Sequence, residues 1–375
     1  MGSKEHWFVP ALNGLRALAV LVVIFAHTSP SIFPGGHVGV DLFFVLSGFL
    51  ITTILLKEFS TTGSINIGRF YIRRALRLFP ALFSVVVFVL IHAWFTMDRT
   101  EFTGTLKDLA TVATYMWNWR IAVWLNPYGL GGNGMLTHLW SLSVEEQFYI
   151  FWPLMLLVVL KLRASTPVLA AVLALGVFGP WLGRIWLWES GPSYPIYFST
   201  HLHVDGLAWG ATLAWIYSRD LLPKSQASRT IVNVLAWASL AAFIWLSWEE
   251  RIANGQLYRW GFTLVGLTSV TMISNTMVNP RSFFTKIFEW GPINYIGVIS
   301  YGLYLWHVPI LRIQIPGYSA VFHATVCVTA TFIVAGLSFR FCETPFLKWK
   351  SKVGYEPAPP QVSLPRRSVQ PKVLM

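Results

Sequence analysis

Long apolar stretches alternate with short polar breaks along the chain, and the length of those stretches is its strongest signal. Crossing about 30 Å of hydrocarbon takes roughly 20 helical residues, and ten segments reach that length between charged or Pro/Gly-containing breaks. They cover approximately residues 10–28, 38–57, 78–97, 140–160, 167–187, 201–217, 231–248, 259–278, 293–312 and 319–341. A further stretch, 106–119, is too short and too interrupted to cross. The pattern predicts an all-α integral membrane protein, a bundle of about ten transmembrane helices over residues 1–349. No internal repeat or second domain is visible, and residues 350–375 read as a disordered cytoplasmic tail, with five prolines and scattered cations after Glu356.

Composition excludes the soluble alternative. Of 375 residues, 55% are hydrophobic and 12% charged, half the charge density that covers a soluble surface. The net charge of +12 would suggest nucleic acid in a soluble protein, but in a membrane protein it encodes orientation, because cationic loops stay on the cytoplasmic side. With the N-terminus inside, inner segments hold 20 Lys and Arg and outer segments 7, with Arg16 inside the first helix. That partition places both termini in the cytoplasm; the cell (inner) membrane is the expected location. The first apolar stretch has the length of a signal-peptide core, yet Pro30 and Pro34 follow it in place of a small-residue cleavage site, and it contains Arg16. It reads as a retained helix. Cys327 and Cys342 form no CxxC or paired zinc-ligand pattern, so thiol and disulfide chemistry are not expected.

Ionisable side chains inside spans are costly, and the few present ask for a reason. Arg16 and His27 share the first helix, and eleven residues at 100° each return them to within about 20° of one face, about 16 Å apart. A snorkelling Arg and an interfacial His are the plainer alternative. The expected topology sets further groups at the outer level of His27: His37 and Asp41, His138, Glu145 and Glu146, His201, His203 and Asp205, and His307. His201 and Asp205 are i, i+4 and would share a helix face. Together these could form a reaction centre; singly, each could be a cap or an interfacial residue. No HExxH or similar spacing supports a metal. The outer loop from Asp98 to His138 carries Tyr115, Trp117, Trp119, Trp124 and Tyr128 before a Gly129–Gly134 run, either as an interfacial aromatic belt or as a stacking platform for a polar acceptor. On the inner side Arg69, Arg73, Arg74 and Arg77 cluster at helical spacing, suited to phosphate or, more plainly, to topology and anionic lipid.

These residues fall in segments that resemble the acyltransferase-3 family of multi-pass membrane acyltransferases. The segments are Asn13-Gly-Leu-Arg16 with His27, the run from Gly39 to Thr52, the Arg-rich run from Phe70 to Pro80, Leu139 to Tyr149, Ser300 to His307, and Phe341 to Pro345. The resemblance extends from Leu12 to about Trp349, in the stand-alone form without a fused hydrolase-like domain. It implies an O-acyltransferase that takes an acyl group, usually acetyl, from cytoplasmic acyl-CoA to an extracytoplasmic carbohydrate, with the lipid bilayer, acyl-CoA and a glycan as partners and no metal or nucleic acid. In that frame His27 acts as base, held by Asp41 or Glu145. Arg16, Arg73, Arg74 and Arg77 bind the acetyl-CoA donor, and Trp117, Trp119, His201, Asp205 and His307 lie on the acceptor side. The competing class is a proton-coupled secondary transporter, which also uses buried Arg, His and carboxylates.

Overall fold

The computed structural model describes residues 9–124, 133–162, 166–189, 193–249, 255–314 and 316–353, and among them the chain is wholly helical. The helices are α1 (Pro10–Thr28), α2 (Val38–Thr62), α3 (Ile67–Thr96), α4 (Arg99–Ala113), the single turn α5 (Trp117–Trp119), α6 (Trp140–Lys161), α7 (Thr166–Trp188), α8 (Ser193–Phe198) and α9 (Thr200–His203). There follow α10 (Asp205–Ser218), α11 (Gln226–Glu249), α12 (Phe262–Val278), α13 (Phe283–Glu289), α14 (Gly291–Val298), α15 (Ser300–Leu311), α16 (Ala320–Ser338) and α17 (Thr344–Lys352). A tight turn, Gly134–Leu139, leads into α6. Tyr128, most of the Gly129–Gly134 run and the tail beyond 353 lie outside the described residues, as does the side chain of Trp124.

Eight helical stretches are long and apolar enough to cross a membrane: Pro10–Thr28, Val38–Thr62, Ile67–Thr96, Gly134–Lys161, Thr166–Trp188, Gln226–Glu249, Leu257–Val278 and Ala320–Lys350. They coincide with eight of the ten expected spans. The stretch at 106–119 is not among them; α4 there opens on an Asp98/Glu101 capping box and buries only Thr105, Asp108, Leu109 and Val112. The other two expected spans are divided. Residues 201–217 break at Val204 into α9 and the 14-residue α10, which rises about 21 Å; residues 293–312 break at Ile299 into α14 and the 12-residue α15, which rises about 18 Å. Both breaks fall where polar side chains are held. His203 and Asp205 flank the first, and Ser300, which accepts a hydrogen bond from Arg16, follows the second.

Large apolar side chains face outward along several of these helices. Phe95, Phe151, Leu175, Trp186 and Val321 are 70 to 79% exposed, which suits a lipid surface and no aqueous one. Inside, backbones touch where side chains are missing. A Cβ on Gly48 would stand 2.0 Å from the Leu207 carbonyl oxygen, and one on Gly210 would stand 2.0 Å from that of Val45, so α2 and α10 meet through glycine on both partners. The same device joins α1 to its neighbours: a Cβ on Gly14 would fall 2.1 Å from the Phe288 oxygen, and one on Gly297 1.9 Å from that of Asn13. These close approaches fix α1 and α2 at the centre of the bundle, with Leu15, Leu42, Phe44 and Phe49 almost fully buried.

Candidate functional site

The N-terminal part of α3 carries its arginines into the bundle beside α1, α6 and α15, where a cavity of about 180 Å³ is lined by Arg16, Arg74, Arg77, Ser47, Glu145 and Tyr149 among others. Three guanidinium groups and one carboxylate therefore face one space, which favours an anionic guest. Arg16 donates from Nε to Ser300 Oγ at 3.1 Å. The Arg74 guanidinium lies 3.2 Å from the centre of the Tyr149 ring and 3.4 Å from Glu146 Oε1. Glu145 accepts short hydrogen bonds at one oxygen from both Ser47 and Tyr149, and the Tyr149 hydroxyl lies 2.6 Å from Ser47 Oγ. Tyr149 is i+4 from Glu145, so helical spacing brings the phenol back onto the carboxylate, while the adjacent Glu146 turns toward Arg74. Arg73 is not among the lining residues.

His27 occupies a different space. It is exposed, and with Arg312, Gln314, Tyr318 and His323 it lines a pocket of about 520 Å³. Its ring meets that of His307 edge-on at 4.9 Å, and His307 meets His138 at 4.9 Å in the same way. Each of the three imidazoles has one nitrogen against a backbone carbonyl: His27 Nδ1 on Val23 at 2.9 Å, His307 Nδ1 on Tyr304 at 2.6 Å and His138 Nε2 on Leu305 at 3.1 Å. A carbonyl only accepts, so these nitrogens donate and, in neutral rings, the opposite nitrogens carry lone pairs. Two of those lone pairs, on His307 Nε2 and His138 Nδ1, are buried without a partner. Between the arginine cavity and the His27 pocket stands Tyr304, whose hydroxyl donates to the His138 carbonyl at 2.7 Å and lies 2.6 Å from Ser141 Oγ. Helix α15 thus lines the cavity with Ser300, Tyr301 and Tyr304 and the pocket with Val308 and Leu311, and one turn, about 6 Å, separates the two sets.

The remaining polar residues form a third group, and the expected partnership at His27 changes accordingly. Asp41 does not hold His27. Its Oδ1 faces His203 Nε2 at 2.9 Å, and His203 Nδ1 donates to the Tyr197 carbonyl at 2.6 Å, so one proton is held between carboxylate and ring. Glu145, expected at the level of His27, sits instead with the arginines. Asp205 is bound by both terminal nitrogens of Arg184, at 2.9 and 2.6 Å, and both side chains are buried. His201 and Asp205 do not share a continuous helix, because Val204 separates α9 from α10. His201 is exposed and stacks on Trp119 at 5.8 Å with the planes 7° apart, so this pair offers an aromatic surface. Trp117, expected to face outward, is 0% exposed and its indole donates to the Leu136 carbonyl at 2.8 Å. It braces the turn into α6 and presents no stacking face. Ser47, Tyr149, Ser300 and Tyr304 escape a reading of the sequence for ionisable groups, although all four lie in the segments that resemble the family, and Tyr149 sits at helical spacing from Glu145.

Comparison with known proteins bears on this arrangement. Residues 9–340 match the acyltransferase domain of the acyltransferase-3 type. The chain is 37% identical over 354 residues to the peptidoglycan O-acetyltransferase OatA of Listeria monocytogenes serovar 1/2a, covering 91% of this chain and 56% of that protein. It is 34% identical over 358 residues to YrhL of Bacillus subtilis strain 168, provisionally named a peptidoglycan O-acetyltransferase, with 92 and 55% covered. A provisionally named O-acetyltransferase of Staphylococcus aureus strain COL is 34% identical over 355 residues, with 92 and 58% covered. The chain spans a little over half the length of these curated relatives. No solved structure matches it.

Proposed function

This chain belongs to the acyltransferase-3 family, and we propose that it transfers an acetyl group from acetyl-CoA, bound at the arginine cavity, to a hydroxyl of a cell-wall glycan such as peptidoglycan at the His27 pocket. The observation that carries the reading is the placement of Arg16 and His27 on one helix, lining two separate spaces one turn of α15 apart. With the two divided spans counted as crossings, the bundle has ten, the arginine cavity opens to the cytoplasm and the His27 pocket opens outward, which agrees with the Lys/Arg bias of the loops. Both termini are then cytoplasmic.

The side chains divide the work. Arg74, Arg77 and Arg16 meet the phosphates and the polar arm of the donor, their forks suited to oxyanions. His27, with Nδ1 tied to Val23, presents Nε2 as a base that takes the proton of the acceptor hydroxyl as its oxygen attacks the thioester carbonyl. The carbon–sulfur bond breaks, the thiolate leaves toward the arginines, and the proton stays on His27 until solvent removes it. Tyr304 and His307 stand between donor and acceptor and have to turn aside for the acetyl group to reach His27.

The test is transfer of radiolabelled acetyl from acetyl-CoA to peptidoglycan fragments by the purified protein in lipid nanodiscs. Wild type should transfer, and His27→Ala should lose about 10²- to 10⁴-fold while eluting as the same monodisperse species. Full activity in His27→Ala removes the base from the mechanism. Absence of transfer by wild type to any glycan, with solute uptake once the protein is reconstituted into sealed proteoliposomes, would favour a transporter.

A further inference from the structure

His27 shares its pocket with a cation that the fold leaves unneutralised. The pocket is walled by the end of α1, the end of α15, Gln314 and the start of α16, and no Asp or Glu is among its lining residues. Among the other arginines that the loop pattern sets on the outer side, Arg120 lies 2.6 Å from Asp108, Arg184 2.6 Å from Asp205 and Arg259 3.8 Å from Glu189, whereas the exposed Arg99 has no carboxylate partner among the described residues. Arg312 has no such partner among the described residues and is exposed. It is nevertheless not adrift. A Cβ built on Gly134 would stand 3.5 Å from Arg312 Nε and 3.6 Å from Cζ, ordinary contact distances, so the guanidinium lies beside the turn that leads into α6. Around it stand donors and acceptors fit for a sugar. His323 Nε2 donates to the Ile313 carbonyl at 2.9 Å and so turns a lone pair at Nδ1 the other way, while Gln314 and the Tyr318 ring line the same space.

We propose that Arg312 recognises an oxyanion, a carboxylate or phosphate, carried by the acceptor itself, and that the acceptor is an anion-bearing glycan. The inference rests on the acceptor reading of the His27 pocket and sharpens it. A guanidinium fork binds such a group in one orientation, so the hydroxyl to be acetylated is set beside His27 by a contact several atoms away from the reacting oxygen. A neutral glycan lacks that handle. A lipid headgroup phosphate could offer the same chemistry to Arg312, but it would bring no sugar ring to Tyr318.

Direct binding tests this without requiring turnover. The probes are the disaccharide N-acetylglucosaminyl-N-acetylmuramic acid, with its free lactyl carboxylate, and the methyl ester of that carboxylate, which has nearly the same shape and no charge. Each is measured by equilibrium dialysis against wild type, Arg312→Gln and Arg312→Lys in neutral phosphatidylcholine nanodiscs. Wild type should bind the acid roughly tenfold more tightly than the ester, the size of one charge-assisted hydrogen bond at an open site. Arg312→Gln should abolish that preference by weakening the acid far more than the ester; Arg312→Lys should retain part of it. Equal binding of acid and ester by wild type, or a preference that survives Arg312→Gln, overturns the proposal. So does an effect of Arg312→Gln seen only as less phosphatidylglycerol retained by the protein on purification from mixed phosphatidylcholine–phosphatidylglycerol bilayers, which would assign the cation to lipid. A charge preference abolished in Arg312→Gln, in a protein that transfers no acetyl, would uphold the anion site and defeat the acetyl-transfer reading alone.

Discussion

Replacing Arg184 by Met separates the energetics of the buried polar group from the rest of the fold. Arg184 and Asp205 are 1 and 2% exposed, and the guanidinium satisfies both carboxylate oxygens as well as the Leu202 carbonyl, 2.5 Å from Nη1. Arg184→Met keeps most of the side-chain volume but leaves a carboxylate buried without a counter-charge. Removing one partner of a buried pair costs about 3–5 kcal/mol, whereas replacing both with apolar groups is often near neutral, since desolvation then falls away along with attraction. For a chain of this size such a destabilisation lowers the unfolding midpoint by roughly 5 °C. The assay is thermal unfolding in one detergent, followed by tryptophan fluorescence, for wild type, Arg184→Met, Asp205→Leu and the double variant. The double variant should recover at least half of the deficit, giving a coupling of about 2 kcal/mol or more. An Arg184→Met midpoint indistinguishable from wild type, or a double variant no better than the sum of the singles, would refute the view that these two side chains act as one coupled buried pair.

Two further outcomes concern the helix packing and the arginine cavity. Gly210→Ala places a methyl 2.0 Å from the Val45 oxygen, forcing α2 and α10 apart, and should cost about 1–3 kcal/mol, while Gly68→Ala, whose nearest neighbour would be 3.8 Å away, should be neutral or slightly stabilising; the same unfolding assay checks both. The pair Arg74→Ala with Arg77→Ala should weaken acetyl-CoA binding by roughly 10²-fold or more, at about 1.5–3 kcal/mol for each charge-assisted hydrogen bond removed, measured by calorimetry in nanodiscs; unchanged affinity would remove the donor from this cavity.

What could be read from the sequence was whatever depends on one helix at a time. Arg16 and His27 follow from periodicity within α1, and eight of the spans from length and apolarity alone. Arg74 and Arg77 likewise reach a common cavity as their spacing implies. What escaped depends on partners distant in the chain. Asp41 is claimed by His203, 162 residues away, and Trp117 is drawn inward by a carbonyl at Leu136; no local pattern marks either interaction. The breaks at Val204 and Ile299 have no Gly or Pro at the broken position itself; polar residues flank them, His203 and Asp205 the first and Ser300 the second, and each is held by a partner distant in the chain. Glu145, expected beside His27, turns instead to Ser47 and Tyr149 while Glu146 turns to Arg74, and only the positions of those partners show which way each carboxylate faces.

The single turn of α15 between the cavity and the pocket has an electrical consequence. Membrane voltage falls mainly across regions that exclude water and ions, so if the cavity and the pocket open to opposite aqueous phases as proposed, the field would concentrate on the layer of Tyr304 and His307, where the two sets of lining residues on α15 are about 6 Å apart along the helix. A full elementary charge moved across the whole field is worth about 2.3 kcal/mol per 100 mV. In the proposed reaction a proton appears at His27 on one side and a thiolate among the arginines on the other, so that charge separation would span much of the drop. The energised membrane would then act directly on the transfer step, favouring one direction of acetyl movement according to its polarity.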